Sequence, residues 1–211
     1  MPKVLILGAG GQIAQNVIEL LKNEANVQLS LFLRDKRKLG KLHLNGVEII
    51  EGDVLDDQKL REVMQGQDLV YANLDGELDK LAKSIVEDMK FVGLKRLIFI
   101  TSLGIYNEVP GAFGKWNNRM IGKYLPTYAK AADIIERSGL DYTIIRPAWL
   151  TDYDEIDYEL TQKGEPFRGT EVSRKSVASL IVKIIKAPKS EMYKSLGINK
   201  PGTDGDKPAF Y

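Results

Sequence analysis

Residues 3–15, Lys-Val-Leu-Ile-Leu-Gly-Ala-Gly-Gly-Gln-Ile-Ala-Gln, constrain this chain more than any other stretch. The apolar run 4–7 reads as a fully buried strand. It breaks at Gly8, and helical spacing follows from about residue 11 to residue 22. Gly8 permits a tight turn out of the strand. Gly10 and Gly11 leave no side chain between the backbone and a pyrophosphate, and small Ala14 lets the helix lie close against a sheet. A helix start also offers unpaired N–H groups and partial positive charge, which suit a phosphate. A glycine-rich turn alone says little, but a strand before it and a helix after it give the arrangement that binds dinucleotides. Gln12 and Ile13, in the first helical turn, join the glycines as candidate contacts.

Along the rest of the chain short apolar runs alternate with segments of helical period. That pattern predicts an α/β fold, a Rossmann-type doubly wound parallel sheet in a single domain. Further strands are expected at 27–33, 46–50, 68–72, 96–101 and 142–145. Helices are expected at 36–42, 57–65, 78–92 and 117–138, the last broken at Pro126, with a late helix running to Lys186. Gly139 then stands just past a helix end, where glycine is favoured. Right-handed crossovers place the first three strands in the order 3-2-1. The domain is expected to cover 1–196, with 103–116 and 151–168 as walls of a small substrate pocket. Residues 197–211, rich in Pro and Gly, are expected to form an extended tail that Phe210 and Tyr211 can pin to the body.

Composition narrows the functions. The absence of cysteine excludes disulfides, thiolate metal sites and a cysteine nucleophile. The single histidine, His43, lies in a polar stretch and reads as a surface residue, so multi-histidine metal sites are excluded and no metal is expected. With 30 basic and 29 acidic residues, nothing suggests a nucleic-acid or anionic-membrane partner. No apolar run approaches the ~20 residues of a bilayer span, and the N-terminus lacks a signal-peptide pattern. The expectation is a soluble cytoplasmic protein acting with a small molecule. A homodimer stays open.

In a doubly wound sheet the ligand crosses the carboxyl ends of the strands. The second strand ends in Arg34-Asp35, followed by Lys36, Arg37 and Lys38. An arginine there accommodates a ribose 2′-phosphate, so the cofactor expected is NADP(H), while Asp35 leaves NAD(H) open. After the third strand, Asp53 is placed to accept from an adenine amino group and Val54 to cover a ring face, unless the turn merely caps a helix. Ala72 and Asn73 end the fourth strand beside the expected ribose.

Thr101-Ser102, then Lys130-Ala-Ala-Asp133, then Ser138-Gly-Leu-Asp-Tyr-Thr-Ile-Ile-Arg-Pro147 resemble the atypical short-chain dehydrogenase/reductases. The similar group is the NAD(P)H-binding, NmrA-like proteins, and residues 172–178 are similar as well. The resemblance implies a Rossmann fold, bound NADP(H) or NAD(H), and contacts from Pro147 and its neighbours Ala148 and Trp149 to the nicotinamide end, with Thr101 a further candidate for cofactor binding. Orthodox members use a serine after the fifth strand and a Tyr-x-x-x-Lys pair. Ser102 and Lys130 fit the serine and lysine, but Pro126 stands where the tyrosine belongs. Tyr124 and Tyr128 flank it, and at about 100° per helical residue each points elsewhere.

Without that acid, the reaction expected is direct hydride transfer to a quinone, flavin or similar planar acceptor that draws its proton from water. Ser102 would hold the acceptor oxygen or the carboxamide, and Lys130 the ribose. One alternative is a non-catalytic NADP(H)-binding redox sensor, and another a nucleotide-sugar epimerase or dehydratase. Segment 103–116, with Tyr106, Phe113 and Trp116, reads as a mobile aromatic lid or as a loop whose aromatics belong to the core. Asp152, Asp154, Glu155 and Asp157 read as a solvated acidic run rather than paired catalytic carboxylates.

Overall fold

The computed structural model describes residues 1–211 apart from Lys41, His43 and Asn45, so the surface role expected of His43 lies outside the described residues. In chain order the elements are β1 (Lys3–Leu7), α1 (Gln12–Leu21), β2 (Gln28–Leu33), β3 (Glu48–Glu51), α2 (Asp57–Met64), β4 (Leu69–Ala72), α3 (Leu78–Val92) and β5 (Arg96–Ile100). They continue with α4 (Gly111–Ile121), α5 (Leu125–Glu136), β6 (Asp141–Pro147), β7 (Trp149–Thr151), β8 (Glu159–Thr161), β9 (Glu171–Ser173), α6 (Arg174–Lys186) and β10 (Lys194–Asn199).

The main sheet runs β3-β2-β1-β4-β5-β6-β10-β8. Its first three strands therefore lie in the expected 3-2-1 order, and only β8, at the far edge, is antiparallel to its neighbour. Strands buried on both faces need apolar side chains at every position. In β1, Val4 and Ile6 join the core with α1 and α6, while Leu5 and Leu7 join the core with α2, α3 and α5. Of the described residues, no helix is long and apolar enough to cross a membrane.

Several boundaries differ from expectation. The third strand is Glu48–Glu51 rather than 46–50, on an exposed edge where alternation is weak. Segment 103–116 is not one loop, because its second half belongs to α4, with Phe113 buried. The helix expected over 117–138 is two helices, parted at Gly122–Tyr124 rather than at Pro126. Pro126 sits in the first turn of α5, where its missing N–H costs nothing. Residues 197–199 are not tail; they complete β10, with Gly197 paired to Arg146 of β6. A Cβ at Gly197 would stand 2.7 Å from the Phe167 ring. Beyond β10 the chain is strapped to β9. Lys200 N–H donates to the Glu171 carbonyl, Thr170 bonds to Thr203, and Ala209 N–H donates to the Glu171 carboxylate.

One side chain ties the β5–β6 half together. Arg146, with no exposure, donates to Glu108 in the loop after β5, to Ser195 Oγ and O in β10, and to the Thr161 carbonyl in β8. Glu108, also buried, accepts the N–H groups of Gly104 and Tyr106 at 3.1 and 2.9 Å. Glu108→Ala strands a buried guanidinium. It is expected to lower the unfolding free energy by about 3–5 kcal/mol in urea titrations, with Glu108→Ala/Arg146→Met losing less than the two single changes together.

Candidate functional site

A cleft of about 510 Å³ opens across the carboxyl ends of β1, β2, β3 and β4. Its floor is the turn between β1 and α1. Gly8 has φ +75°, and a Cβ there would meet the Asn73 carbonyl at 2.2 Å. At Gly11 a Cβ would lie 2.0 Å from Asn73 Nδ2, so the turn tolerates no side chain. Gly11 caps α1 without a side-chain bond, the first turn holds no acidic residue, and the N–H groups of Gln12 and Ile13 have no partner among the described residues. These groups fit a pyrophosphate through backbone alone. Ile13's side chain turns into the core.

At the tip of β2 the five charges sort themselves. Asp35 accepts from Arg37 N–H at 3.0 Å, from Arg37 Nε at 2.9 Å and from Nη2 at 2.8 Å. The guanidinium bonds pull its carboxyl down to about pH 2, so the pairing holds from neutral pH until acid falls through that value. Lys36 pairs with Glu51. Arg34 and Lys38 line the cleft and make no ion pair among the described residues. Gln15 closes this wall by donating to the carbonyls of Gly10 and Lys38.

Asp53 and Val54 also line the cleft. One Asp53 oxygen is committed to Leu55 N–H, a local turn bond, which leaves the other free. Asp56, not Asp53, caps α2. Asn73 borders the cleft and covers Gly11, whereas Ala72 is wholly buried in β4 and offers no side-chain contact. Sequence reading missed the opposite wall, Asp75 to Glu77 with Lys80, which lies on the β4–α3 loop and the first turn of α3.

The residues expected at the nicotinamide end are dispersed. Thr101 is buried, and its hydroxyl donates to the Ile145 carbonyl. Ser102 is half-buried, and the adjoining Leu103 N–H donates to the carbonyl of buried Pro147. Lys130 is 74% exposed and faces Asp79 at 3.7 Å, rather than lining the cleft. Tyr124 is exposed beneath Lys123. Tyr128 is half-buried, and burial with the nearby Asp75 carboxylate raises its phenol above the usual range. The acidic run is solvated: Asp152 pairs with Arg174, Asp154 with Lys175 and Glu155 with Lys200. The described residues hold no cluster of metal-ligating side chains.

Residues 8–188 match the NAD(P)H-binding family. The chain belongs to that family. Among solved structures it is similar to a Rossmann-fold NAD(P)-binding family protein from Shigella flexneri, 51% identical over the whole of both chains, TM-score 0.87. It is also similar to a short-chain dehydrogenase/reductase from Veillonella parvula in complex with NADP, 30% identical over 99% of each chain, TM-score 0.93. Two sequence relatives are an uncharacterized sugar epimerase, YhfK, of Bacillus subtilis and an NAD(P)H azoreductase of Xenophilus azovorans. The first is 28% identical over 70% of this chain and 72% of that protein. The second is 23% identical over 69% of this chain and 48% of that protein. The atypical short-chain dehydrogenase/reductase resemblance agrees with these matches.

The Asp35–Arg37 pairing has a consequence for cofactor choice. Arg37→Ala frees Asp35 to accept from a ribose 2′-hydroxyl. The ratio of NADPH to NADH affinity is expected to narrow by about tenfold in paired fluorescence titrations.

Proposed function

We propose that this chain is an NADP(H)-dependent reductase of small planar acceptors such as quinones or flavins. The observation that carries the cofactor assignment is at the tip of β2. Arg34 and Lys38 border the cleft without ion-pair partners among the described residues, while the acidic residue that would favour NAD(H) is held by Arg37. The similar Veillonella parvula structure in complex with NADP supports this choice, and the Xenophilus azovorans azoreductase supports a reductase.

Each residue then has a task. Gly10, Gly11 and the N–H groups of Gln12 and Ile13 take the pyrophosphate. Arg34 forks onto the 2′-phosphate with Lys38 beside it. The free Asp53 oxygen takes the adenine amino group, Val54 covers the ring, and Asn73 faces the ribose. NADPH, when bound, supplies a hydride from its nicotinamide carbon, leaving NADP⁺, and the acceptor completes its reduction with a proton from water. Strand order puts the tips of β5 and β6 on the far side of the glycine turn from β2, and on this reading Ser102, just past β5, would donate to an acceptor oxygen. No step is assigned to Lys130.

Pro126 favours a second reading, a nucleotide sensor without turnover, because the position of the orthodox tyrosine carries no acid. The same residue weighs against the epimerase reading. Titration of the purified chain with NADPH and NADH, followed by a panel of quinones and flavins, separates them. Tight NADPH binding and signal decay on an acceptor are expected. Binding without decay favours the sensor, and absence of binding overturns both. Arg34→Ala is expected to weaken NADPH by roughly tenfold or more with little effect on NADH. Tyr128→Phe is expected to leave acceptor turnover within severalfold; a hundredfold loss would make that phenol the proton donor.

A further inference from the structure

The chain has two tryptophans, and the fold brings both to one corner. Trp116 of α4 lies 4.7 Å, centroid to centroid, from Trp149 of β7. Trp149 follows Pro147, whose carbonyl holds the backbone next to Ser102, so the corner adjoins the carboxyl ends of β5 and β6. One wall is rigid. Trp149 Nε1 donates to Oδ1 of Asn117 at 2.9 Å, and Asn117 is 1% exposed.

The third ring in this corner is held differently. Tyr211 meets Trp116 at 5.0 Å and Trp149 at 5.2 Å, in T-shaped contact with both indoles, yet it is 50% exposed. The last bond tying its segment to β9 is at Ala209, and the Tyr211 N–H reaches back only to Pro208. Beyond Ala209, among the described residues, the chain meets the body of the domain through ring contacts and no hydrogen bond. A T-shaped contact covers less of an indole face than a flat, electron-poor conjugated ring stacked on that electron-rich face.

We infer that the Trp116–Trp149 corner is the ring-binding subsite for the planar acceptor, and that Tyr211 holds the seat until an acceptor ring displaces it. The inference rests on the reductase reading and names where its acceptor binds.

Because both tryptophans report from the corner, intrinsic fluorescence reads it directly. The full chain, saturated with NADP⁺ so that no turnover occurs, is titrated with 1,4-naphthoquinone. Saturable quenching is expected. Tyr211→Ala, which removes the competing ring, should tighten the quinone severalfold and leave NADPH affinity, read through nicotinamide fluorescence, unchanged. Tyr211→Phe, which keeps the ring, should match the unaltered chain. Quenching that stays linear in quinone, or that is the same or weaker in Tyr211→Ala, overturns the subsite. If NADPH still binds and is oxidised by the quinone in that case, the reductase reading survives without it. If NADPH fails to bind, the reductase reading falls first.

Discussion

A guanidinium with no access to water sits in β6, and the β5–β6 half of the molecule is assembled around it. Burying such a charge is costly unless a counter-charge and several acceptors surround it. Arg146 finds Glu108 in the loop after β5, Ser195 in β10 and the Thr161 carbonyl in β8. Tyr106 lies against the same guanidinium, its hydroxyl donating to Glu136 and accepting from Ser195 Oγ, and burial keeps that phenol protonated well above the usual range. Elements far apart in sequence thus meet at one charge. The loop that leaves β5 beside Ser102 is fixed in place by folding itself, before any ligand arrives.

The two halves of the expected binding track are built from opposite materials. On the β2 side the cleft is open and basic, and its glycine turn is kept clear because Asn73 already presses on it. On the β6 side the surface is aromatic and closed over by its own rings. A dinucleotide that spans the switch point would bridge a charged end and an apolar end, the polarity that a phosphate at one extremity and a flat ring at the other require.

The fold was legible wherever a local pattern decided it. β1, β4 and β5 read clearly because strands covered on both faces are mostly apolar, and α3 because of its helical period, which the structure ends at the left-handed Gly93. α4 was not legible, since Gly111, Gly114, Asn117 and Asn118 are poor helix formers; buried Phe113 and Asn117 hold it through tertiary contacts. β10 was hidden by Gly197, which reads as a breaker but is required by the Phe167 ring. In the site, the glycine turn and Arg34 could be read from spacing. The partnership of Asp35 with Arg37 could not, because two-residue neighbours do not meet on a helix. They meet here because Asp35 is extended and stands just before the turn. Nor does spacing reveal a pair as distant as Glu108 and Arg146.

Pro126 fits the first turn of α5 without penalty, so the chain has a rigid helix start where an orthodox reductase would keep an acid. On the proposed reading this shifts the burden of selection from the protein to the product. An acceptor whose reduced form is a strongly basic alkoxide would need a proton at the moment of transfer and would fail. One whose reduced form is a delocalised, weakly basic anion could leave the site first and protonate afterwards. The acidity of what is made, as much as the shape of what enters, would then set the range of compounds this protein can reduce.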